Sequence, residues 1–459
     1  MIRALPLLAL LAAPAAAQVS GPDPALVEEG RALAVAGDCT ACHGADHAGG
    51  DPIESPIGAI HASNITPDPE TGIGSWSLAD FDGVMREGRS PEHMIYPAMP
   101  YVSYTGLTDG QVEALYAYLT TQVAPIAKAV PENDLPFPFN MRFIMAGWNL
   151  FFLDEGSPPG AVPASGPQAE RGRVLVEVLG HCSACHTPRG PLMQQRSDRH
   201  LGGGMVSGWW APNLTPGAGG LSDWSDDELA TFLATGSVER AVAAGEMGLA
   251  VEHSLSRMPR EDIRAIVAYL RALPPVDDAD PVEASGPTVP VGALMDVSSG
   301  PAPSDWRAML GHADADGATL YEAACASCHR SDGTGRPYPS LRRVSSVTDP
   351  DGANLVQVIA NGVDRRVGGE HRVMPGFRAA MDDAQIAALA NHVRVAFAGV
   401  PSDIDADRVA AILAGEIAVP WLIRNATWLA WLGLGAGLGA AFLGAFWVWR
   451  RRMGGTVRG

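Results

Sequence analysis

All six cysteines of this 459-residue chain lie in three copies of one short motif, Cys-X-X-Cys-His, at residues 39–43, 182–186 and 325–329. Successive copies are 143 residues apart, since 182 minus 39 equals 325 minus 182, which indicates a repeated module. Two thiols one helical turn apart, followed at once by histidine, are typical of covalent c-type haem attachment. A zinc ribbon or a redox dithiol explains a single copy as well, but three copies that use every cysteine favour haem.

This interpretation gives each residue of the motif a role. The two thiols of a copy form thioethers with one porphyrin, and the histidine ligates the iron from one side. The attachment residues are then Cys39, Cys42, Cys182, Cys185, Cys325 and Cys328, and the proximal ligands are His43, His186 and His329. The sequence therefore predicts three covalently bound haem c groups.

Pro- and Gly-rich stretches at 154–168 and 277–304 divide the chain into module one (22–153), module two (169–276) and module three (305–400). In each module an amphipathic helix leads to the motif, and a helix of small and apolar residues closes the module. No strand pattern competes with these helices. The predicted fold class is all-α: three tandem cytochrome c-type domains and a C-terminal membrane helix.

The second axial position decides between electron transfer and ligand chemistry, because a six-coordinate iron has no open site. Met99 and Met374 each precede a proline and lie shortly before the closing helix of their module. Alignment of the closing helices places the equivalent position of module two between Met247 and Met258, nearer to Met247. Met258 adjoins the helix itself, too late for a loop that crosses a haem face. The predicted distal ligands are Met99, Met247 and Met374, with Met258 as the alternative in module two.

The two ends of the chain carry patterns that predict export from the cytoplasm and anchoring in a membrane. Residues 1–17 combine Arg3, an apolar run and a small-residue ending, the pattern of a cleaved secretory signal. Residues 426–449 contain one polar residue, Thr427, and are long enough to cross a bilayer. Three arginines at 450–452 then predict a cytoplasmic tail (450–459), a juxtamembrane segment (401–425) on the outer face, and haem modules in the periplasm of a bacterial inner membrane. The net charge of −19 argues against nucleic acid as a partner.

A further apolar segment, residues 135–153, is interrupted by prolines and polar residues and is too short to cross a bilayer. Burial between modules one and two is the first interpretation. A position at the membrane surface or beside a quinone is the alternative.

Four stretches together resemble a known family: NITPDPETGIGSWS (64–77), YPAMPY (96–101), LPFPFNMRFIMAGWNLFF (135–152) and GHCSACHTPRG (180–190). The chain resembles the tri-haem cytochrome c subunits of membrane-bound alcohol, gluconate, sorbitol, fructose and aldehyde dehydrogenases. Carried over by position, the resemblance implies the same cysteine, histidine and methionine ligands. The chain departs from the family at Gly-Glu-Met247-Gly, where a proline usually precedes the methionine.

The resemblance implies an electron-transfer subunit that does not itself oxidise an organic substrate. Its partners would be a catalytic subunit of the flavin, pyrroloquinoline quinone or molybdopterin type, a small subunit, ubiquinone and the membrane. Two other functions use the same haem residues. One is a cytochrome that feeds a terminal oxidase, and the other is a haem peroxidase, which requires a five-coordinate iron.

Overall fold

The computed structural model describes residues 22–277, 315–415 and 419–454, apart from residues 51, 54, 56 and 336. The predicted signal peptide, nearly all of the second linker and the last five residues of the tail lie outside the described residues. Nineteen α-helices and eight short strands are found in the described part of the chain.

Module one consists mainly of helices. They are α1 (Pro24–Ala36), α2 (Cys39–His43), α3 (Leu78–Glu87), α4 (Tyr101–Tyr104), α5 (Asp109–Thr121) and α6 (Ile144–Phe152). Ser77 and Thr108 begin α3 and α5 with capping boxes, in which the side chains of the N-cap residue and of the residue three positions later each accept a hydrogen bond from the other's backbone amide. The first cysteine-histidine motif forms α2, directly after α1.

Module two repeats this order with one change in its first helix. Its helices are α7 (Pro167–Arg173), α8 (Ser183–His186), α9 (Asp226–Thr235), α10 (Gly245–His253) and α11 (Arg260–Ala272). A π-helical stretch, Val174–Leu179, continues α7, and 3₁₀ turns lie at Ser197–Arg199 and Leu255–Arg257. The second motif follows the π-helical stretch.

Module three contains α12 (Gly317–Ala324), α13 (Ala326–His329), α14 (Ser345–Thr348), α15 (Ala353–Asn361) and α16 (Asp383–His392). The π-helical stretch Val393–Ala398 continues α16. Three further helices follow: α17 (Ala406–Leu413), α18 (Trp421–Arg424) and α19 (Ala426–Gly454). Within α19, Ala426–Trp449 is long and apolar enough to cross a membrane, which agrees with the sequence-based prediction of a span there.

In each module the first and last helices cross at a glycine. A methyl group added to this glycine would lie about 2 Å from a backbone carbonyl oxygen of the last helix, far inside van der Waals contact. The pairs are Gly30 with Ala114 (1.9 Å), Gly172 with Ala265 (1.9 Å) and Gly317 with Ala388 (2.1 Å). The two backbones therefore touch directly, and only glycine fits at the crossing.

The predicted helix-rich fold is confirmed, but it is not purely α-helical, because four antiparallel two-stranded sheets accompany the helices. They pair β1 (Pro52–Ile53) with β2 (Ile60–His61), β3 (Gly202–Val206) with β4 (Trp209–Asn213), β5 (Ser237–Val238) with β6 (Ala241–Val242), and β7 (Val363–Val367) with β8 (Glu370–Met374). These strands have two to five residues, too few for an alternating pattern to stand out. β3 is also rich in glycine and β7 in charge, so neither resembles a half-buried strand.

The cores show how the modules are joined. Modules one and two share a single hydrophobic core, which includes Leu33 and Leu115 from one and Leu175 and Leu270 from the other. Module three has a core of its own around Leu320 and the residues packed on it. Modules one and two are thus one packing unit, with module three attached to it.

Module three is joined to module two by polar contacts, in addition to apolar packing of module two residues against its core. The Asn354 side chain makes hydrogen bonds of 2.9 Å with both the backbone nitrogen and the backbone oxygen of Trp210. Arg365, fully buried, donates to the carbonyl oxygen of Ala243. Burial of this guanidinium lowers the pKa of Arg365.

We predict that Gly30→Ala destabilises module one, because its new methyl group would clash with the Ala114 carbonyl and force the two helices apart. Overpacking of this kind costs about 1–3 kcal/mol or more. Thermal unfolding followed by circular dichroism measures the loss. Gly110→Ala is the matched control in the partner helix, since nothing lies within 4 Å of its added methyl group. Equal melting temperatures for the two variants would contradict the crossing as a constraint.

Candidate functional site

Each motif histidine is held by the same kind of hydrogen bond. The Nδ1 atom of His43 lies 2.7 Å from the Ser63 carbonyl oxygen, that of His186 lies 2.6 Å from Pro212, and that of His329 lies 3.1 Å from Pro339. A carbonyl oxygen only accepts, so Nδ1 must carry the proton and donate. Nε2 is then left with a lone pair, the arrangement found in metal-ligating histidines.

The surroundings keep these imidazoles neutral. Burial lowers the pKa of His43, His186 and His329 below the usual value of histidine. A neutral ring is the form that binds a metal, because the ligating nitrogen must be unprotonated. Geometry and protonation state therefore both fit the predicted proximal ligands.

The pKa values of the cysteine thiols are shifted in the opposite direction from those of a redox dithiol. Burial raises the pKa of Cys39, Cys182 and Cys325 to about 12 and that of Cys42 to about 11, and it also raises the pKa of Cys185. Reactive dithiols require a lowered pKa and an electropositive setting. Over the described residues, no group of three or more His, Cys, Asp or Glu side chains is placed to hold a metal ion. The raised thiol pKa values therefore fit covalent haem attachment better than a redox dithiol.

The structure places Met99 and Met247 at equivalent positions of modules one and two. Helix α3 follows the N-cap Ser77 and ends at the left-handed Gly88, and α9 follows Ser225 and ends at Gly236. A short bridge comes next in both, Arg89 with Met94 and Ser237 with Val242. All these positions differ by 148, as 225 minus 77 shows, and so do Met99 and Met247. Met258 lies at the end of a 3₁₀ turn, directly before α11.

In module three a methionine also follows the glycine that ends the middle helix, but one residue later than in modules one and two. Helix α15 ends at Gly362, which has a positive φ, and the hairpin β7–β8 follows with Met374 as its last residue. Met374 follows its glycine by 12 positions, and Met99 and Met247 follow theirs by 11. All three methionines are partly buried against the core of the unit that contains them.

The loops before α3 and α9 are fixed by buried asparagines. Asn64 donates to the carbonyl oxygen of Ile126 at 2.8 Å, and Asn213 donates to that of Val276 at 2.6 Å. Each side-chain oxygen also accepts from a backbone amide two residues ahead, from Thr66 or Thr215. These side chains therefore join the loop to the segment that follows the closing helix.

The motifs of modules one and two lie side by side. The rings of Tyr104 and His181, the latter directly before Cys182, meet edge to face with centroids 5.7 Å apart. The Tyr104 hydroxyl donates to the carbonyl oxygen of Gly37, two residues before Cys39, at 3.0 Å. The shared core thus brings two of the three attachment sites together.

Helix α10 of module two lies at a junction of all three modules. On one side it packs against α2, and the Glu246 carboxylate contributes to raising the pKa of both Cys42 and Cys185. On the other side it packs against β7 of module three, where a cleft of about 230 Å³ lies between residues 243–249 and 362–365. Sequence periodicity does not reveal this bridging helix, since it contacts modules one and three as well as its own module.

A buried polar network in module two was also not apparent from the sequence. The Glu177 carboxylate, fully buried, accepts from the Tyr269 hydroxyl at 2.7 Å and contacts Nε2 of His200 at 2.9 Å. Burial raises the pKa of Tyr269, which keeps this hydroxyl a donor. Tyr269 is also one of the residues at the Gly172 helix crossing.

Comparison with known families gives one match to each motif region. The family described as Cytochrome c matches residues 27–122 and again residues 169–274. The family described as Cytochrome C oxidase, cbb3-type, subunit III matches residues 312–393. Each of the three stretches contains one Cys-X-X-Cys-His motif.

Several curated proteins are similar over most of the chain. The fructose dehydrogenase cytochrome subunit of Gluconobacter japonicus is 38% identical over 95% of this chain and 94% of its own length. The cytochrome c subunit of an alcohol dehydrogenase (quinone) from Gluconacetobacter polyoxogenes is 36% identical over 84% of each chain. The gluconate 2-dehydrogenase cytochrome c subunit of Pantoea cypripedii is 36% identical over 85% of this chain and 90% of its own.

We predict that Asp38, the residue before Cys39, makes the stability of the fold depend on pH. Its Oδ1 atom is enclosed without a hydrogen-bond partner, and burial raises the pKa of Asp38 to about 7. The folded protein therefore holds a proton that the unfolded chain releases at lower pH, so the free energy of unfolding falls between about pH 4 and pH 7. The loss is roughly 2–4 kcal/mol.

Denaturant unfolding of the Asp38→Asn variant at pH 5 and pH 7 checks this. Asparagine tolerates the left-handed backbone of this position (φ 49°) and carries no charge, so the fall in stability should largely disappear. Asp154→Asn changes an exposed carboxylate elsewhere in the chain and should leave the fall unchanged. An unchanged fall in Asp38→Asn would show that another group is responsible.

Proposed function

Because the chain belongs to the family of cytochrome c subunits of dehydrogenase complexes, we propose that it anchors such a complex to the membrane and carries single electrons from the catalytic subunit to ubiquinone. One observation carries this proposal. The similarity to the fructose dehydrogenase subunit extends over 95% of the chain and 94% of the relative, so it includes all three motifs and is not limited to one domain.

The attachment residues proposed for three haem c groups are the six cysteines, with His43, His186 and His329 as proximal ligands. A hydrogen bond from Nδ1 to a backbone carbonyl oxygen is present in all three modules, at 2.6–3.1 Å, and supports the same role for all three histidines. When bound, haem c supplies a one-electron iron couple whose potential a methionine ligand raises. The chain's own contribution is to fix the ligating nitrogens, exclude water from them and place the first two sites side by side.

Met99, Met247 and Met374 are the proposed distal ligands. For module two, the common spacing of 11 residues between the helix-ending glycine and the methionine supports Met247 over Met258. Met247 lacks the preceding proline that is usual in the family. It lies in the first turn of α10, and the helix restricts its backbone instead.

The proposed location is a bacterial inner membrane, with the helix Ala426–Trp449 as a single span and the modules on the periplasmic side. The secretory pattern at residues 1–17 and the three arginines after the span support this orientation. The catalytic partner would be a periplasmic subunit of the flavin, pyrroloquinoline quinone or molybdopterin type, with or without a small subunit.

One observation favours a second function. Residues 312–393 match the cbb3-type oxidase subunit III family, as a cytochrome that feeds a terminal oxidase would. That match covers a single module, whereas the dehydrogenase subunits match along most of the chain. A peroxidase is less favoured still, because the three proposed methionine ligands would leave no open iron site.

We predict that Met247→Leu changes the haem of module two and that Met258→Leu does not. Leucine keeps the volume of methionine but has no sulfur, so only loss of the true ligand yields a high-spin ferric signal. Electron paramagnetic resonance of the oxidised protein measures this signal, with Met99→Leu as the positive control in module one. A high-spin signal in Met258→Leu alone would assign the ligand to Met258.

We further predict that the protein extracted gently from its native membrane carries three haems per chain and co-purifies with a dehydrogenase subunit. Haem stoichiometry follows from the pyridine haemochrome spectrum and protein mass. The substrate of the co-purified subunit should reduce the haems, and added ubiquinone should reoxidise them. Co-purification with an oxidase, or haem reduction that is independent of any catalytic subunit, would contradict the proposed function.

A further inference from the structure

Helix α6 exposes an entirely apolar face. Its exposed residues and the one before it are Phe143, Ala146, Gly147, Leu150 and Phe151, which follow one another at the spacing of a single helix face. Phe143, Leu150 and Phe151 are 71%, 81% and 77% exposed, values that are high for large apolar side chains. The opposite side, with Met145 and Trp148, packs on a small core beneath. The face is thus held by the fold yet uncovered.

The segment that leads to α6 contacts the start of the membrane helix. The rings of Phe137 and Trp431 lie 4.9 Å apart, and the Thr427 hydroxyl donates to the carbonyl oxygen of Phe137. Trp431 is five residues after Ala426, so this contact lies about 8 Å along the helix from its start. That depth corresponds to the interfacial region of a bilayer, where tryptophans of membrane helices gather.

A second connection reaches α6 from its other side. The Trp148 indole nitrogen donates to the carbonyl oxygen of Leu192 at 3.0 Å. The loop around Leu192 borders a cleft of about 560 Å³ whose other wall is Pro420, Trp421 and Leu422, at the entry to the membrane helix. Helix α6 therefore lies close to the membrane-proximal residues on two sides, through the segment that precedes it and through the loop around Leu192.

Three segments form this region: residues 135–153, 189–196 and 419–425. They contain six of the eleven large exposed apolar residues found outside α19 in the described chain: Phe143, Leu150, Phe151, Leu192, Trp421 and Leu422. Such clustering marks an interaction surface.

The charge of this region is opposite to that of the whole protein. The three segments contain Arg142, Arg189, Arg196 and Arg424 and no acidic residue, although the chain carries a net charge of −19. Acidic residues lie directly outside the segments: Asp134, Asp154 and Glu155 flank the first, and Asp198, which pairs with Arg196, follows the second. An apolar face with basic residues around it fits the boundary between anionic headgroups and acyl chains.

We propose that these three segments form a lipid-binding platform, with the exposed face of α6 inserted into the outer leaflet beside the membrane helix. Continuity with the span favours lipid over a protein partner as the occupant. The platform would fix modules one and two, rather than module three, against the bilayer. This inference rests on the proposed membrane anchoring.

The test uses the full-length haem-loaded protein in nanodiscs of phosphatidylethanolamine and phosphatidylglycerol. A nitroxide spin label is attached at Phe151→Cys, at Leu438→Cys within the span, or at Val373→Cys on β8 of module three. All three side chains are more than half exposed, so the substitutions leave the core intact. The native cysteines are occupied by haem in the loaded protein and do not take the label.

Power saturation with oxygen, which enters lipid, and with a water-soluble nickel chelate gives the environment of each label. We expect an oxygen-to-nickel accessibility ratio at residue 151 several-fold above that at residue 373 and closer to that at residue 438. A ratio at 151 equal to that at 373, with a high ratio at 438, would overturn the platform and leave the anchor intact.

Two other outcomes can be distinguished from these. A low ratio at residue 438 would contradict the anchoring on which the inference rests. A label at 151 that is open to nickel in the isolated chain and closed to both reagents in the dehydrogenase complex would show that the face binds protein, which also overturns the proposal.

Discussion

The arrangement of each module depends on a direct contact between two helix backbones. At Gly30, Gly172 and Gly317 the first helix lies against a carbonyl group of the last helix, and no side chain fits between them. The motif follows the first helix and the methionine loop precedes the last one, so this single contact sets the distance between the two. The number of residues between the crossing glycine and the first cysteine of the motif differs between modules one and two. Gly172 is ten residues before Cys182, Gly30 is nine before Cys39, and the π-helical stretch Val174–Leu179 takes up the extra residue.

The sequence was most informative for features that depend on residues close together in the chain, such as covalent attachment sites and helix caps. The spacing of cysteines and histidines predicts the attachment sites, and caps such as Thr108 fix helix starts close to the residues observed. Met99 and Met374 could be proposed from the proline beside them. Met247 could not be separated from Met258 with the same force, because the relevant landmark is a left-handed glycine that ends the middle helix, and its role appears only in three dimensions.

Contacts between modules were beyond reach of the sequence. Helix α10 shows no simple amphipathic pattern, because it contacts α2 of module one and β7 of module three in addition to its own module. The four hairpins are too short for their alternation to be detected, and the Glu177 network joins residues 92 positions apart. Of the apolar segment 135–153, the sequence suggested burial. The structure buries one side of α6 and leaves the other exposed, a division that depends on which neighbours cover it.

The shared core of modules one and two determines which parts of the chain can change independently of the rest. Leu175 and Leu270 of one module complete the packing around Leu33 and Leu115 of the other, so neither can be lost, exchanged or left unfinished without exposing apolar surface on its neighbour. Module three has a separate core, which module two contacts only through partly buried residues, so its exchange would disturb the remaining core least. Electron carriers of this architecture can thus vary at one end while an indivisible pair is preserved at the other.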